Sequence, residues 1–554
     1  MSKFNLLDEK WIKVVDKKRN QVVEVSLKEV FEHAHELKML AGEMKTQDFA
    51  MLRLLLAVLH TVFSRFNANG EVYEFLEVDE RYRQKEDVSE DDLEEYRDEL
   101  MDTWKTLWKS GEFPKIVVEY LEKWRDRFYL FDEKYPFYQV TKKEMYRHNF
   151  LANGKSTETP GEIYARYINM LITESKNKLV LFSPKIESNK DTLSKEEIAR
   201  FLIMLQGYVG GEVDKVTIAG RDYIKSKGWL SELGGVYLEG DTLFRTLMLN
   251  LILLHPKQKY ILKAEKPCWE VNCYEYVENS FSESIDNISQ LYTNLSRAVY
   301  IDVTKDLSDK FKINTLKLPK FDIENNLEPM TIWKGLKKGN KNIFVPEQHD
   351  LKKSLWHNFG LVTESKDGTK RPYIIDWREK IEEYVDDNRI IINSVGMELN
   401  NKSNTPKNEV FDRLILKDFL LFDDEEGGWT VRINDIIEET KSVIEKQYKF
   451  FLKDIKEIRN YSNDGFVNNK IEELYSLIDE PFRNWIFEID ETSKKDESII
   501  AWRKIFKELL VQSAQDILNQ SNPRDLKGIK KEDKIKNVPM AYNTFEVKIN
   551  SILG

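Results

Sequence analysis

Past the Gly427-Gly428 pair, apolar side chains recur at three- and four-residue steps, a period that only α-helices gather on one face. Ile433, Ile437, Ile444, Tyr448, Phe451, Ile455 and Ile458 make one stripe. Leu474, Ile478, Trp485 and Ile489 make a second, and Ile499, Trp502, Phe506, Leu509 and Ile517 a third. Residues 538–553 supply a fourth. Long helices joined by short connections pack as antiparallel neighbours, so residues 429–554 are expected to form a four-helix bundle.

The preceding part is mixed. At 554 residues the chain is too long for one ordinary core. The reading is therefore α+β, mostly helical: a large N-terminal globular domain over 1–428, followed by the bundle over 429–554. Residues 4–25 alternate apolar and polar around KKRN, which predicts a hairpin. SLKEVFEHAHEL (26–37) predicts a helix capped by Ser26, with Glu29 completing a capping box. A buried helix is expected over 46–66. Its unbroken apolar run, Leu54–Leu59, is far short of the ~20 residues that a membrane span needs. The acidic run 86–99 reads as the solvated side of a helix that buries Leu93, Tyr96, Leu100, Trp104 and Leu107, with Ser89 and Asp92 as its capping box. The aromatic stretch 127–140 reads as core. Further helices are expected at 160–178, 194–207 and 241–254. Glycines crowd 208–240, which predicts irregular backbone. Residues 300–430 read as short strands and loops, with KGLKKGNKN (334–342) and an exposed tip in ELNNKSNTPKN (398–408).

The formal net charge of −11 argues against a free-standing, non-specific DNA binder, whose affinity rests on neutralising phosphates. Nucleic-acid contact would have to use local lysine clusters or basic surface supplied by partners. The two cysteines, Cys268 and Cys273, have a spacing that fits no common zinc or redox pattern and read as reduced thiols of a cytoplasmic protein. The N-terminus MSKFNLLDEKW does not read as a signal peptide.

Catalytic signatures are missing. The sequence has no phosphate loop, no dinucleotide fingerprint and no nucleophile elbow. His35-Glu36 opens a zinc-protease pattern that Met39 fails to close. His33 and His35, on a helix, would point about 200° apart and could not share a metal. His349-Asp350 is the dipeptide of metal-dependent phosphohydrolases, without matching further ligands. No catalytic residue, metal or cofactor is therefore expected. A metal-dependent nuclease or phosphohydrolase built on His349-Asp350 is one alternative reading, and a pure assembly scaffold another.

FNLLDEKWIKV (4–14), RFYLFDEKYPFYQV (127–140), KGWLSELGGVYLEGDTLFRTLMLN (227–250) and EKPCWE (265–270), in this order, resemble the large subunit of the type I-E CRISPR Cascade complex. The resemblance implies a non-enzymatic, cytoplasmic antiviral subunit with no membrane association. Such a subunit reads the protospacer-adjacent motif (PAM) of double-stranded target DNA, begins strand separation and positions a nuclease. The guide RNA reads the rest by base pairing. The implied partners are the crRNA-containing Cascade subunits, the crRNA 5′ handle, and a helicase–nuclease or a nuclease fused to another subunit.

The resemblance also implies three elements on the minor-groove side. A glycine loop falls at Gly210 and Gly211, with Gly220 as the second choice; glycine lets backbone approach a narrow groove. A lysine finger falls at Lys317 or Lys320, before FDIENNLEP. A wedge falls at Asn400, Asn401 and Lys402, where the family pattern carries a Gln. A loop toward the RNA handle and a neighbouring subunit falls at Lys185, Asn189 and Lys190. Lys334, Lys337, Lys338 and Lys341, and the basic segment 523–536, are candidate contacts to DNA backbone.

Overall fold

A computed structural model gives the fold and describes residues 4–147, 161–165, 189, 191–210, 215–218, 221–224, 227–281, 283–302, 311–320, 322–323, 327–338, 341–350, 353–363, 368–399, 406–423, 425–531 and 534–554. The architecture is α+β and mainly helical, as the sequence reading expects. The chain divides into two compact units. The first comprises residues 1–351, 365–384 and 392–412; the second comprises 352–364, 385–391 and 413–554.

The first unit is built around the helix Lys45–Phe63, in which every residue from Thr46 to Phe63 is buried. By length and composition this helix could cross a membrane, but its apolar window is wholly covered by the unit. A buried ion pair reinforces that placement: Arg53 meets Glu328 through two hydrogen bonds of 2.9 and 2.8 Å. The helix lacks a capping side chain at Met44. Glu409 substitutes, accepting from both the Thr46 N–H (2.7 Å) and the Thr46 hydroxyl (2.6 Å), and so satisfies a donor of the first turn.

The helices Ile288–Tyr292, Lys195–Tyr208, Ile116–Lys123 and Leu243–Asn250 pack on this one, and the sheets of the unit are small. The expected N-terminal hairpin forms from Ile12–Asp16 and Gln21–Val25 and gains a third strand, Leu37–Leu40. That strand corrects the helix expected over 26–37. Ser26 and Glu29 do make the capping box, but the helix spans only Leu27–Glu32 because Leu37 and Leu40 are buried as strand residues against the hairpin. His33 and His35 consequently lie outside the helix.

The helix expected over 160–178 is corrected where it is described. Gly161–Tyr164 is a strand paired with Lys312–Thr315, and residues 166–178 lie outside the described residues. Ser89 caps a 3-10 turn, Glu90–Asp92, rather than closing a capping box on the α-helix, which begins at Leu93. The helix expected at 241–254 is shorter, Leu243–Asn250, capped by Thr242. The helix expected at 194–207 runs Lys195–Tyr208 behind a Ser194–Glu197 capping box.

The EKPCWE stretch proves to be core. Arg65 and Glu270 form a fully buried ion pair at 2.7 Å; Tyr120 donates to Glu270 at 2.6 Å and receives from the Trp269 indole at 2.8 Å. Phe128, Leu130, Phe131, Phe137 and Tyr138 of the aromatic block are buried, as core packing requires.

In the second unit all four expected stripes fall on helices, except that Ile489 of the second stripe follows its helix in extended backbone. Trp429–Val443 passes through a π turn at Ile444–Tyr448 into Lys449–Arg459; Gly465–Glu488, Lys495–Asn519 and Val538–Leu553 complete the set. Leu510, rather than Leu509, is the fully buried member of the third stripe. Trp502 anchors the core: its ring lies 4.9 Å from Phe482 and 5.6 Å from Trp485, and its indole donates to Thr440 at 3.0 Å. A short helix, Pro523–Lys527, and a hairpin, Ile529–Lys531 with Lys534–Lys536, interrupt the step to the last helix.

Candidate nucleic-acid interface

The glycine-rich stretch begins and ends at a closed neck within the first unit. The helix Lys195–Tyr208 ends beside Gly228, whose N–H donates to the Val209 carbonyl at 2.8 Å. The backbones cross so closely that a β-carbon on Gly228 would stand 2.2 Å from the Gly207 carbonyl oxygen. Only glycine permits that crossing.

One side of the neck is anchored by Gln206. Its amide oxygen accepts from Ser296 N–H and Arg297 N–H, each at 2.9 Å, and the Arg297 guanidinium donates to the Gly210 carbonyl at 2.8 Å. Gly210 is therefore buried, with its carbonyl engaged. Within the loop, Lys215–Ile218 pairs with Arg221–Ile224 as a hairpin, so part of the stretch expected to be irregular is regular. Gly211 and Gly220 lie outside the described residues.

The other side of the neck is the GWLSELGG segment, a 3-10 turn, Trp229–Glu232, leading into the strand Gly235–Glu239. Three of its residues reach parts of the unit distant in sequence. The Trp229 indole donates to Glu328 at 2.8 Å, joining the pair that Glu328 makes with Arg53. Ser231 receives from Gln348 at 2.6 Å, and Gly234 donates to the Glu347 carbonyl at 3.0 Å. These pairings join residues about a hundred positions apart and leave no local signal in the sequence.

Glu232 closes the segment. Its carboxylate receives the ammonium groups of Lys227 at 2.9 Å and Lys320 at 3.1 Å. Of the two lysine-finger candidates, Lys320 is exposed and meets the neck, whereas Lys317 is half-buried in the strand Lys312–Lys317, opposite Arg297.

The basic hairpin pairs Trp333–Lys338 with Lys341–Pro346. Lys334 is exposed and ion-paired with Glu347 at 3.2 Å; Lys337 is exposed. Lys338 and Lys341 face each other as the last rung, and their side chains are not among those described. In the basic segment 523–536, Lys536 is bound to Asp454 and Glu457 at 2.5 and 2.7 Å.

Asn400, Asn401 and Lys402 lie outside the described residues, between a strand that ends at Leu399 and one that begins at Pro406. Lys185 and Lys190 also lie outside. Asn189 is exposed, its carbonyl accepting from the Thr192 N–H and hydroxyl at 3.1 and 2.8 Å.

The His349 ring bonds the Gly235 carbonyl at 2.8 Å, and desolvation keeps its imidazole below the ordinary pKa against the effect of that bond. Its ring is bonded to backbone, and the carboxylates of Asp412 and Glu347 act on it only through their charge. Among the described residues no group of three or more His, Cys, Asp and Glu side chains is arranged to hold a metal ion. Cys268 and Cys273 are free thiols, both pushed up by burial, Cys273 to about 12.

The fold is shared with solved proteins. Cse1 of Thermobifida fusca superposes with a TM-score of 0.74 at 19% identity, covering 99% of this chain and 97% of that one. A chain of a CRISPR RNA-guided surveillance complex superposes with a TM-score of 0.67 at 14% identity, covering 99% of each. A CasA/Cse1 protein of Thermus thermophilus is 29% identical over 275 residues. That match covers 49% of this chain and 43% of the relative, so in it the chain spans less than half the relative's length. The model for the CRISPR-associated protein Cse1 family matches residues 5–513, which is most of the sequence, and the chain therefore belongs to the Cse1 family, that of the type I-E Cascade large subunit.

Proposed function

We propose that this chain is the non-catalytic large subunit of an RNA-guided surveillance complex, and that it reads the PAM of double-stranded DNA from the minor-groove side. The observation that carries the reading is the meeting of Lys320 with Glu232 at the neck of the glycine-rich loop. Two elements distant in sequence, a loop rich in close-approach glycines and an exposed lysine, share one place. A minor groove presents chiefly acceptors, which an ammonium can bond without demanding one base. Lys320 is accordingly the finger. Gly211 and Gly220 supply backbone approach, while the carbonyl of Gly210 serves the frame.

The tip Asn400, Asn401 and Lys402 acts as the wedge that opens the first base step, at a cost of a few kcal/mol offset by groove and backbone contacts. Lys334, Lys337, Lys338 and Lys341 follow the DNA backbone. Lys185, Asn189 and Lys190 face the crRNA 5′ handle and a neighbouring subunit. The complex acts in the cytoplasm and hands the opened target to a helicase–nuclease or a nuclease fused to another subunit. The net charge of −11 fits a chain that supplies a few placed lysines and leaves most phosphate contacts to partners.

The test is duplex binding by the reconstituted complex on targets that differ only in the bases flanking the guide-matched segment. Lys320→Ala is expected to cut the preference between flanks, and Lys317→Ala to leave it. Asn400→Ala/Asn401→Ala/Lys402→Ala is expected to slow strand opening, read by a fluorescent base at the first target position. Unchanged flank preference in Lys320→Ala contradicts the assignment.

A further inference from the structure

We propose that the surface around Phe450, in the second unit, is a binding site for unpaired nucleotides: a base stacks on the Phe450 ring, and Lys446, Lys453 and Lys548 hold the flanking phosphates. The site is separate from the neck of the glycine-rich loop and does not depend on the role proposed there.

The packing of its helix turns the ring outward. Lys449–Arg459 buries Phe451, Leu452, Ile455 and Ile458, and Phe451 stacks on Phe545 of the last helix at 5.1 Å. That contact fixes the rotation of the helix and leaves Phe450 on its outer side, 54% exposed. One exposed apolar residue is ordinary on a protein surface. The charges around this one are not.

Lys446 stands four residues before Phe450 and Lys453 three after it, steps that share a helix face. The Lys548 ammonium, from the last helix, is 5.0 Å from the centre of the ring. All three lysines are exposed, and among the described residues none of their ammonium groups meets a carboxylate. Elsewhere in the unit Lys441, Lys470 and Lys495 each sit on one. The carboxylates that flank the ring in sequence are also taken. Glu445 is held by Lys449 at 2.6 Å, Asp464 by Lys456 at 2.5 Å, and Asp454 and Glu457 by Lys536 at 2.5 and 2.7 Å. Lys536 serves two of them, so the three free lysines leave the face positive by two charges, in a chain whose net charge is −11.

An aromatic face ringed by free ammonium groups matches the two parts of a nucleotide. The ring takes the face of any base, and the cations take phosphate. Stacking needs a base whose face is open. In a duplex the faces cover one another and only edges reach the grooves, so the site fits single strands. A DNA strand displaced from an opened duplex and an unpaired part of a guide RNA share this chemistry.

The experiment titrates the full chain with fluorescein-labelled oligothymidine and with a duplex of equal length, over a range of salt. The chains are wild type, Phe450→Ala, Phe450→Leu, Phe450→Trp and Lys446→Ala/Lys453→Ala/Lys548→Ala. Phe450→Ala and Phe450→Leu are expected to weaken oligothymidine binding about tenfold, and Phe450→Trp to keep it, since an indole stacks and a leucine does not. The triple lysine variant should lower the slope of log affinity against log salt by about 2. Duplex binding should be indifferent to residue 450. In the reconstituted complex on an opened target, Phe450→p-benzoylphenylalanine is irradiated with the displaced strand, the target strand and the crRNA labelled in turn, which identifies the strand that occupies the site.

Oligothymidine binding by Phe450→Leu equal to wild type overturns the proposal, because apolar area without a ring then suffices. Crosslinks to a neighbouring protein subunit alone overturn it as well and make the surface a protein contact. Phe450 is exposed, so equal melting temperatures of all five chains are expected and keep the comparison between folded proteins.

Discussion

The carbonyl oxygen of Gly207 lies 2.2 Å from where a β-carbon on Gly228 would stand, so the entry and exit of the glycine-rich loop cross at a distance that excludes every other residue type at Gly228. The obstruction is backbone, which cannot rotate away. Gly228→Ala is expected to destabilise the first unit by about 1–3 kcal/mol, the usual cost of forcing atoms into a packed site. Urea denaturation checks the stability. In the assembled complex, the same variant should weaken flank discrimination, because the Trp229–Glu232 turn, against which Lys320 rests, begins at this residue.

Arg53 and Glu328 are both fully buried, and Trp229 and Met330 also donate to the same carboxylate, at 2.8 and 3.0 Å. Removing the carboxylate leaves a charged guanidinium in the core. Glu328→Ala should therefore cost about 3–5 kcal/mol, and Arg53→Met/Glu328→Gln distinctly less than that, since both charges then leave together. Trp229→Phe removes one hydrogen bond and should cost about 1 kcal/mol. Denaturant midpoints of the four chains give the comparison.

Glu265 is a buried carboxyl that burial pushes up to about 7 from 4.5, against the bond it receives from the Ser289 N–H at 2.6 Å. The folded state then holds this proton more tightly than the unfolded state. Its contribution is favourable below about pH 4.5 and is lost as pH rises toward 7. Glu265→Gln keeps an acceptor for Ser289 without the ionisation. Relative to wild type, the variant should gain stability between pH 5 and pH 8 by on the order of 3 kcal/mol, read from urea unfolding at each pH. The buried His60, held down to about 3 by desolvation, works in the opposite sense below pH 6.5 in both chains and cancels in the comparison.

Trp502 touches Phe482, Trp485 and Phe506 and donates to Thr440, tying three helices of the second unit. Trp502→Ala is expected to cost about 3–5 kcal/mol from lost packing and the cavity left behind. Trp502→Phe should recover most of the packing but not the bond to Thr440. Thermal melting of the full chain followed by tryptophan fluorescence distinguishes them.

The helical stripes were legible because each helix buries its own periodic face, and the sequence records that face directly: Ile433 to Ile458, and Trp502 to Ile517. Local capping was equally legible at Ser26. Readings failed where a distant partner decides the structure. Gly161–Tyr164 is a strand because Lys312–Thr315 pairs with it, and Leu37–Leu40 leaves the preceding helix because the hairpin accepts a third strand. The candidate site was legible as residue types at matching positions in the resembling family. The pairing of Glu232 with Lys320 was not, because the two stand 88 positions apart.

On the function proposed above, this chain gives the complex its flanking-sequence preference. The most direct test is duplex binding by the RNA-guided complex with and without this chain, on a library of targets with randomised bases beside the guide-matched segment. A preference is expected only when the chain is present, and it should weaken with Lys320→Ala. Equal binding and equal preference without the chain would contradict it, and leave the protein an assembly component that does not read DNA.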